Sequence, residues 1–199
     1  MTFKNLYSHK LAWILEHMFF AGIPVCLAVI RYPDRPVIHY SLMALTLIYM
    51  LAVASYFEVE KGDIGLRCKN ILRDIREILP VTLLISIFIL VLKYFDMFDS
   101  ARYLSGQSAI LYILISVPLQ ELVFRALCVW RCSLSWRSPV FITLFTSANF
   151  AFYHIFLGSW FLVVGVFALS LVWNYFYFKQ KDIYAIIFSH ALIGFVYFI

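Results

Sequence analysis

The sequence predicts an all-α integral membrane protein, a polytopic bundle of about seven transmembrane helices with one further amphipathic helix at the membrane surface. Of the 199 residues, 64% are hydrophobic and only 14% are charged. Soluble domains average about 45–50% apolar and 25% charged residues, so a single water-surrounded core does not account for this excess. Seven Gly and six Pro, without a Ser- or Gln-rich tract, leave no flexible linker. Residues 1–199 are therefore predicted to form a single membrane domain.

The length of the apolar stretches divides the chain into candidate spans. A bilayer core about 30 Å thick requires about 20 apolar residues per helix. The seven stretches of this kind are residues 12–30, 38–57, 79–97, 108–130, 139–157, 159–178 and 183–199. The first contains Glu16 and His17, which could pair with another helix, and it has no small-residue cleavage site. We therefore expect it to be a retained helix rather than a signal peptide.

Between the second and third spans, apolar residues recur at helical spacing while basic residues occupy the other faces. The apolar positions are Ile64, Cys68, Ile71, Leu72, Ile75 and Ile78, and the basic positions are Arg67, Lys69, Arg73 and Arg76. This pattern is typical of a helix that lies on anionic headgroups. It predicts the surface helix.

The distribution of the sixteen basic residues indicates an orientation in the membrane. With seven spans, eleven of them lie on the side of the N-terminus, three lie on the opposite side, and two lie inside spans. The positive-inside rule then places the N-terminus in the cytoplasm and the C-terminus outside, and we expect a bacterial inner membrane. The net charge of +5 does not indicate nucleic-acid binding, because the basic residues form no continuous face.

Ionisable side chains inside the spans are candidate functional residues, because a charge at the bilayer centre costs about 2.5–3.5 kcal/mol on insertion scales. They concentrate in spans four, five and seven, which carry Glu121 and Arg125 beside the polar Gln120, then His154, then His190. Glu121 and Arg125 are four residues apart, so they share a helix face and can form an ion pair. A purely structural pair that holds helices together is an equally open interpretation.

Together these side chains offer a carboxylate, a guanidinium and two imidazoles, the groups needed to activate a water molecule against a carbonyl carbon. Either histidine alone is more often a hydrogen-bonded core residue than a catalyst. Glu121, His154 and His190 could also hold a catalytic zinc ion, but the chain has no HExxH sequence and the ligands would come from three helices. We therefore expect no metal or other cofactor, with zinc as the less favoured alternative.

Three short sequences, in order on three hydrophobic helices, resemble the motifs of one family. Residues 118–126 (PLQELVFRA) resemble the EExxxR motif of the CPBP family, the CAAX-protease and bacteriocin-processing (Abi) intramembrane peptidases. Residues 149–154 (NFAFYH) resemble its FxxxH motif, and residues 189–194 (SHALIG) resemble its closing HxxxN motif. The resemblance covers about residues 108–199, which it implies to be the catalytic core.

The resemblance implies an all-helical, glutamic-type intramembrane endopeptidase that cleaves a membrane-proximal peptide or protein segment. Carried over residue by residue, it implies that His154 orients the attacking water; Glu121, the only carboxylate in the first motif, is predicted to be the general base. It further implies that His190 stabilises the oxyanion and that Arg125 holds the acidic side chain in position. The expected partners are membrane lipid and a peptide or protein substrate.

Two positions depart from the family motifs. Gln120 stands in place of the first glutamate, and an amide does not take up a proton at neutral pH. Gly194 stands in place of the asparagine and supplies no side-chain donor. Asn149 and Asn174 are the candidate replacements for that donor. Gln120, Asn149 and Phe150 are predicted to support the substrate or the oxyanion.

These departures keep another class of function open, that of a catalytically silent relative which binds a membrane peptide, acts in bacteriocin immunity or serves as a scaffold. A small proton-coupled transporter is a less favoured third interpretation, because the seven spans show no obvious inverted repeat.

Overall fold

The computed structural model describes residues 12–16, 35–67, 69–95, 106–155 and 160–198. All regular secondary structure in these parts of the chain is helical. The predicted fold class, an all-helical membrane bundle, is thereby confirmed. The first five residues of the first predicted span are helical, and the rest of that span lies outside the described residues.

The second to seventh predicted spans each have a helix at their position. These helices are α1 (Arg35–Tyr56), α2 (Ile71–Tyr94), α3 (residues 106–135), α4 (Pro139–Phe152), α5 (Trp160–Gln180) and α6 (Ile183–Phe198). Within the described ranges, three stretches are long and apolar enough to cross a membrane, namely Ile71–Tyr94, Ala109–Ser133 and Trp160–Gln180. Shorter apolar helices lie at Met43–Tyr56, Pro139–Phe152 and Ile183–Phe198.

Helix α3 is irregular. Two π-helical segments, Tyr112–Ser116 and Leu122–Leu127, interrupt its α-helical turns. Pro118 follows the first of them and lacks the N–H that a regular ladder of hydrogen bonds requires. A π-helical turn contains more residues than an α-helical turn, so it changes the direction in which later side chains point. Such turns occur frequently at functional sites.

The structure differs from the prediction where the surface helix was expected. Residues 57–67 form turns and irregular backbone, and the next helix begins at Ile71 and continues to Tyr94. The end of the predicted amphipathic segment is therefore the beginning of α2, and no separate helix lies between α1 and α2 in the described residues. The physical reason is that helical periodicity continues from Ile71 into the apolar run without a turn sequence to separate the two.

Helix α2 has a polar buried face and an apolar exposed face. Asp74, Thr82 and Ser86 are buried, whereas Leu84 and Phe88 are more than half exposed. A surface helix of a protein in water has the opposite distribution. Helix α2 therefore meets lipid on its outside and polar partners inside, as expected for an integral membrane protein.

The turn between α5 and α6 makes these helices an antiparallel pair. Lys181 adopts a left-handed conformation (φ 51°) immediately after α5 ends. Asp182 Oδ1 then accepts hydrogen bonds from the backbone N–H groups of Tyr184 (2.7 Å) and Ala185 (3.3 Å), which caps α6. Because the connection is so short, residues equally far from the turn on the two helices come together.

Replacing Asp182 by alanine is expected to lower the free energy of unfolding by about 1 kcal/mol, because two N–H groups of α6 lose their acceptor. Asp182→Asn keeps an acceptor and is expected to avoid this loss. Burial raises the pKa of Asp182, so its charged form is unfavourable in the folded protein. Above that pKa, the asparagine variant should therefore have a higher free energy of unfolding than the wild type. This difference between the two proteins should vanish as the pH falls and the wild-type Asp182 becomes protonated. Thermal unfolding in detergent at several pH values measures both effects, and equal losses in the two variants would contradict the cap.

Two hydrogen bonds at Ser189 connect α6 to α5 and to α2. Trp173 Nε1 of α5 donates to Ser189 Oγ of α6 at 3.0 Å, and Ser189 Oγ is 2.7 Å from Thr82 Oγ1 of α2. Farther along, Lys93 Nζ donates to the backbone oxygen of Tyr197 at 3.4 Å. Helix α2 therefore runs parallel to α6, and these contacts hold the residue after Ser189 in a defined position.

A buried ion pair attaches residues 12–16 to the end of α3. Arg131 Nη2 is 2.7 Å from Glu16 Oε2, and both side chains are buried. Trp13 Nε1 donates to Cys132 Sγ at 3.3 Å beside this pair. Glu16 thus pairs with another helix, as one interpretation of the sequence proposed, whereas His17 lies outside the described residues.

Candidate active site

Glu121 of α3 and His190 of α6 form the centre of the candidate site. Glu121 Oε1 is 2.6 Å from His190 Nδ1, and the Glu121 side chain is fully buried. An ionised carboxylate only accepts hydrogen bonds, so a neutral His190 ring carries its proton on Nδ1. The unprotonated Nε2 is then directed away from the carboxylate. Residues from two separate sequence motifs therefore form one carboxylate–imidazole pair.

Arg125 contacts the other oxygen of Glu121. Its Nε is 3.2 Å from Glu121 Oε2, which makes an ion pair by distance although the two groups are not aligned for a hydrogen bond. Arg125 Nη2 donates to Ser170 Oγ of α5 at 2.7 Å, and Cζ lies 4.0 Å from the centroid of the Phe150 ring. Both charges are buried, so each requires the other to compensate for lost hydration.

Aromatic rings surround the His190 ring. Trp173 stacks on it with 4.6 Å between centroids and an angle of 29° between planes. Phe150 meets it edge-on at 5.7 Å, and Phe150 is fully buried. The predicted supporting residue Phe150 thus contacts both the Arg125 guanidinium and the His190 ring. These contacts restrict the imidazole to one orientation.

His154 lies just beyond the end of α4. The sequence predicted a span to residue 157, but the helix ends at Phe152 and His154 lies in the following turn. Its Nδ1 is 2.8 Å from the backbone oxygen of Phe150, and its ring is 4.7 Å from the Phe150 ring. Phe150 is therefore next to both His154 and His190.

Among the described residues, no group of three or more His, Cys, Asp or Glu side chains is placed to hold a metal ion. The expectation of no cofactor, with zinc as the less favoured alternative, stays a prediction.

The amide side chains near the site have other partners. Gln120 Nε2 donates to Ser116 Oγ at 2.8 Å within α3. Asn174 Nδ2 donates to Thr146 Oγ1 (3.0 Å) and Ser147 Oγ (2.8 Å), which connects α5 to α4. The Asn174 amide is thus used between these two helices rather than at His190. Asn149 is half-buried on α4.

The residue that contacts His190 Nε2 is Tyr112, which the sequence analysis did not single out. The Tyr112 hydroxyl is 3.1 Å from Nε2. A Cβ added to Gly194 would lie 2.5 Å from Tyr112 Cε1 and 2.7 Å from Cζ, so the tyrosine ring occupies the space beside this glycine. The available sequence signal was Gly194 itself, because a glycine at a position where a larger side chain is expected indicates that another group fills the space.

Comparison with known proteins gives one family for the second half of the chain. The model of the type II CAAX prenyl endopeptidase Rce1-like family matches residues 105–196, which include Glu121, His154 and His190. No curated protein and no solved structure matched. The match confirms the resemblance to the CAAX proteases and supports a peptidase-type function at the level of the family. With the apolar helices, it also supports an integral membrane setting. The family that residues 105–196 of this chain resemble, by their motifs and by this match, is therefore the Rce1-like family of CAAX proteases.

Proposed function

We propose that the protein is an intramembrane endopeptidase that cleaves a membrane-proximal segment of a peptide or protein with a water molecule activated by Glu121 and His190. The observation that carries the proposal is the 2.6 Å contact between Glu121 Oε1 and His190 Nδ1. It lies in the region that matches the peptidase family and is surrounded by apolar helices. A carboxylate that orients an imidazole is a recurring arrangement for activating a nucleophile.

The geometry supports a division of roles that differs from the one the resemblance implies. Glu121 has no exposed surface, and both of its oxygens contact protein groups. The His190 side chain keeps 6% of its surface exposed. A water molecule therefore has more access to the His190 ring than to the carboxylate. His190 is the base that takes up the proton of the water, and Glu121 orients the ring and balances its charge.

In the proposed reaction the water oxygen bonds to the substrate carbonyl carbon while one water proton moves to His190 Nε2. Glu121 stabilises the imidazolium that forms. The same proton then passes to the amide nitrogen as the carbon–nitrogen bond breaks. Arg125 holds Glu121 in position through the ion pair. For His154 we retain the predicted water-orienting role, which its place beside the Phe150 ring supports.

His190→Ala is expected to lower kcat by about 10³-fold, since general acid–base catalysis typically contributes about 10²- to 10⁴-fold. His154→Ala should lower it by a smaller factor. The measurement uses protein reconstituted in liposomes and a library of fluorogenic peptides with apolar or prenylated C-terminal anchors. Tyr175→Phe is the control, because Tyr175 is 62% exposed on α5 and has no part in the proposed reaction. Undiminished cleavage by both histidine variants would remove the proposal.

A second candidate function, peptide binding without turnover, is favoured by Gln120. Its amide replaces a second carboxylate, and Gln120 Oε1 has no hydrogen-bond partner among the described residues. This candidate predicts saturable binding of the same peptides without cleavage, together with a gain of cleavage in Gln120→Glu. The predicted cytoplasmic N-terminus and bacterial inner membrane stay predictions for either function.

A further inference from the structure

We propose that the Tyr112 hydroxyl is the second hydrogen-bond donor of the active site, stabilising the oxyanion on the substrate carbonyl in place of the asparagine that the HxxxN motif lacks here. This inference rests on the proposed peptidase function. It starts from the 3.1 Å contact between the Tyr112 hydroxyl and His190 Nε2. Tyr112 thereby joins Glu121 and His190 in a chain of carboxylate, imidazole and hydroxyl.

The Tyr112 ring is held by packing on both sides of this contact. It meets the His190 ring edge-on, with planes at 75°, and the Phe198 ring at 5.0 Å and 73°. Both partners belong to α6, and Tyr112 begins the first π-helical segment of α3. The hydroxyl is therefore positioned before a substrate binds, as electrostatic stabilisation of a transition state requires.

Gly194 makes room for Tyr112. A Cβ at this position would overlap the Tyr112 ring and come closest to its hydroxyl oxygen. Gly194 lies four residues after His190, about one helical turn along α6. The glycine that removes the side-chain donor of the motif therefore also creates the space through which Tyr112 reaches Nε2. Position 194 thus provides the space, and position 112 provides the donor beside the same imidazole.

The Tyr112 hydroxyl has one partner in the resting site and another in the transition state. Before reaction, Nε2 of a neutral His190 accepts a hydrogen bond from the Tyr112 hydroxyl. Nε2 has a single lone pair, so the Tyr112 O–H turns away from it before the attacking water can donate its proton there. The O–H then points toward the carbonyl oxygen, on which negative charge develops as the water attacks. This hydrogen bond is strongest in the transition state, so it raises kcat more than affinity.

Tyr112→Phe tests the donor, because it removes the hydroxyl and keeps the ring beside Gly194. Removal of one oxyanion donor typically costs about 10²- to 10³-fold in kcat. We expect a loss of about 10²-fold in kcat with a KM within about threefold of the wild type, and an unchanged thermal midpoint. Tyr175→Phe is the matched control for loss of a tyrosine hydroxyl elsewhere in the bundle. A kcat for Tyr112→Phe within about twofold of the wild type would overturn the inference.

A second set of variants tests whether positions 112 and 194 supply the same donor. Gly194→Asn alone is expected to be inactive, because its side chain overlaps the Tyr112 ring. Tyr112→Ala removes both the overlap and the donor. The double variant Tyr112→Ala/Gly194→Asn should recover at least about tenfold in kcat over Tyr112→Ala. No recovery would contradict the equivalence of the two donors.

The outcomes separate this inference from the function on which it rests. If the wild type cleaves no peptide, both are overturned. If His190→Ala loses cleavage while Tyr112→Phe keeps it, only the role of Tyr112 is overturned. The nitrogen-15 shift of His190 Nε2 provides a readout independent of turnover, and it should move in Tyr112→Phe. An unchanged shift would contradict the hydrogen bond itself.

Discussion

Glu121→Gln is expected to reduce kcat for cleavage of a membrane-anchored peptide by about 10³- to 10⁴-fold, with little change in KM. Glutamine has nearly the same shape, but it carries no charge to stabilise the imidazolium that forms when His190 Nε2 takes up a proton. Its NH₂ group can also face Nδ1, which forces the ring proton onto Nε2 and removes the base. Single-turnover kinetics in liposomes separate this loss from slow product release.

The matched control is Asp182→Asn, the same change from carboxylate to amide at a site that is only 2% exposed and outside the active site. This variant keeps the cap of α6 and should cleave at the wild-type rate. Because Glu121→Gln also leaves Arg125 without its counter-charge, thermal midpoints must be measured beside the rates. A folded Glu121→Gln protein with a rate within tenfold of the wild type would show that the carboxylate is not part of the reaction.

The positions of the helices were largely predictable, because the length of an apolar run is a direct consequence of bilayer thickness. The surface helix was predicted wrongly. The basic residues Arg73 and Arg76 of the predicted segment are exposed, but they lie in the first two turns of α2 rather than on a separate helix. Between them Asp74 is buried, and its backbone oxygen accepts from Gln180 at 3.1 Å. Sequence periodicity shows which residues share a face but not what covers that face.

The grouping of the site residues was partly predictable. Glu121 and Arg125 had to share a face of α3 because they are four residues apart, and the structure shows them 3.2 Å apart. The contact of Glu121 with His190 depends on the register between α3 and α6, which a single sequence does not contain. His154 was expected within a helix and instead follows its end.

The role of Tyr112 was hidden by helix geometry. Tyr112 and Glu121 are nine residues apart, which is about 2.5 turns of a regular α-helix and places them on opposite faces. In the structure both contact the His190 ring. The π-helical segment Tyr112–Ser116 lies between them and widens the turn. A prediction that assumes 3.6 residues per turn directs Tyr112 away from the site.

Arg125→Met is expected to lower the free energy of unfolding by about 3–5 kcal/mol, the typical cost of leaving a buried charge without its partner. Glu121 is fully buried, and Arg125 is the cation that balances it at 3.2 Å. The variant also loses the contacts of the guanidinium with Ser170 and the Phe150 ring. Unfolding in detergent followed by tryptophan fluorescence measures the change. A loss below about 1 kcal/mol would show that the pair is not desolvated as the structure indicates.

The double variant Glu121→Gln/Arg125→Met separates the two origins of that cost. If the uncompensated carboxylate dominates, removing its charge as well should recover most of the lost stability while cleavage stays absent. If lost packing on Phe150 dominates, the double variant should remain as unstable as Arg125→Met. Arg131→Met is the matched control, because it breaks the second buried pair, with Glu16, and should destabilise the protein without lowering kcat of the folded fraction. A stable double variant beside an active Arg131→Met would show that the cost of Arg125→Met comes from the uncompensated carboxylate, and that the Glu16–Arg131 pair serves to hold helices together.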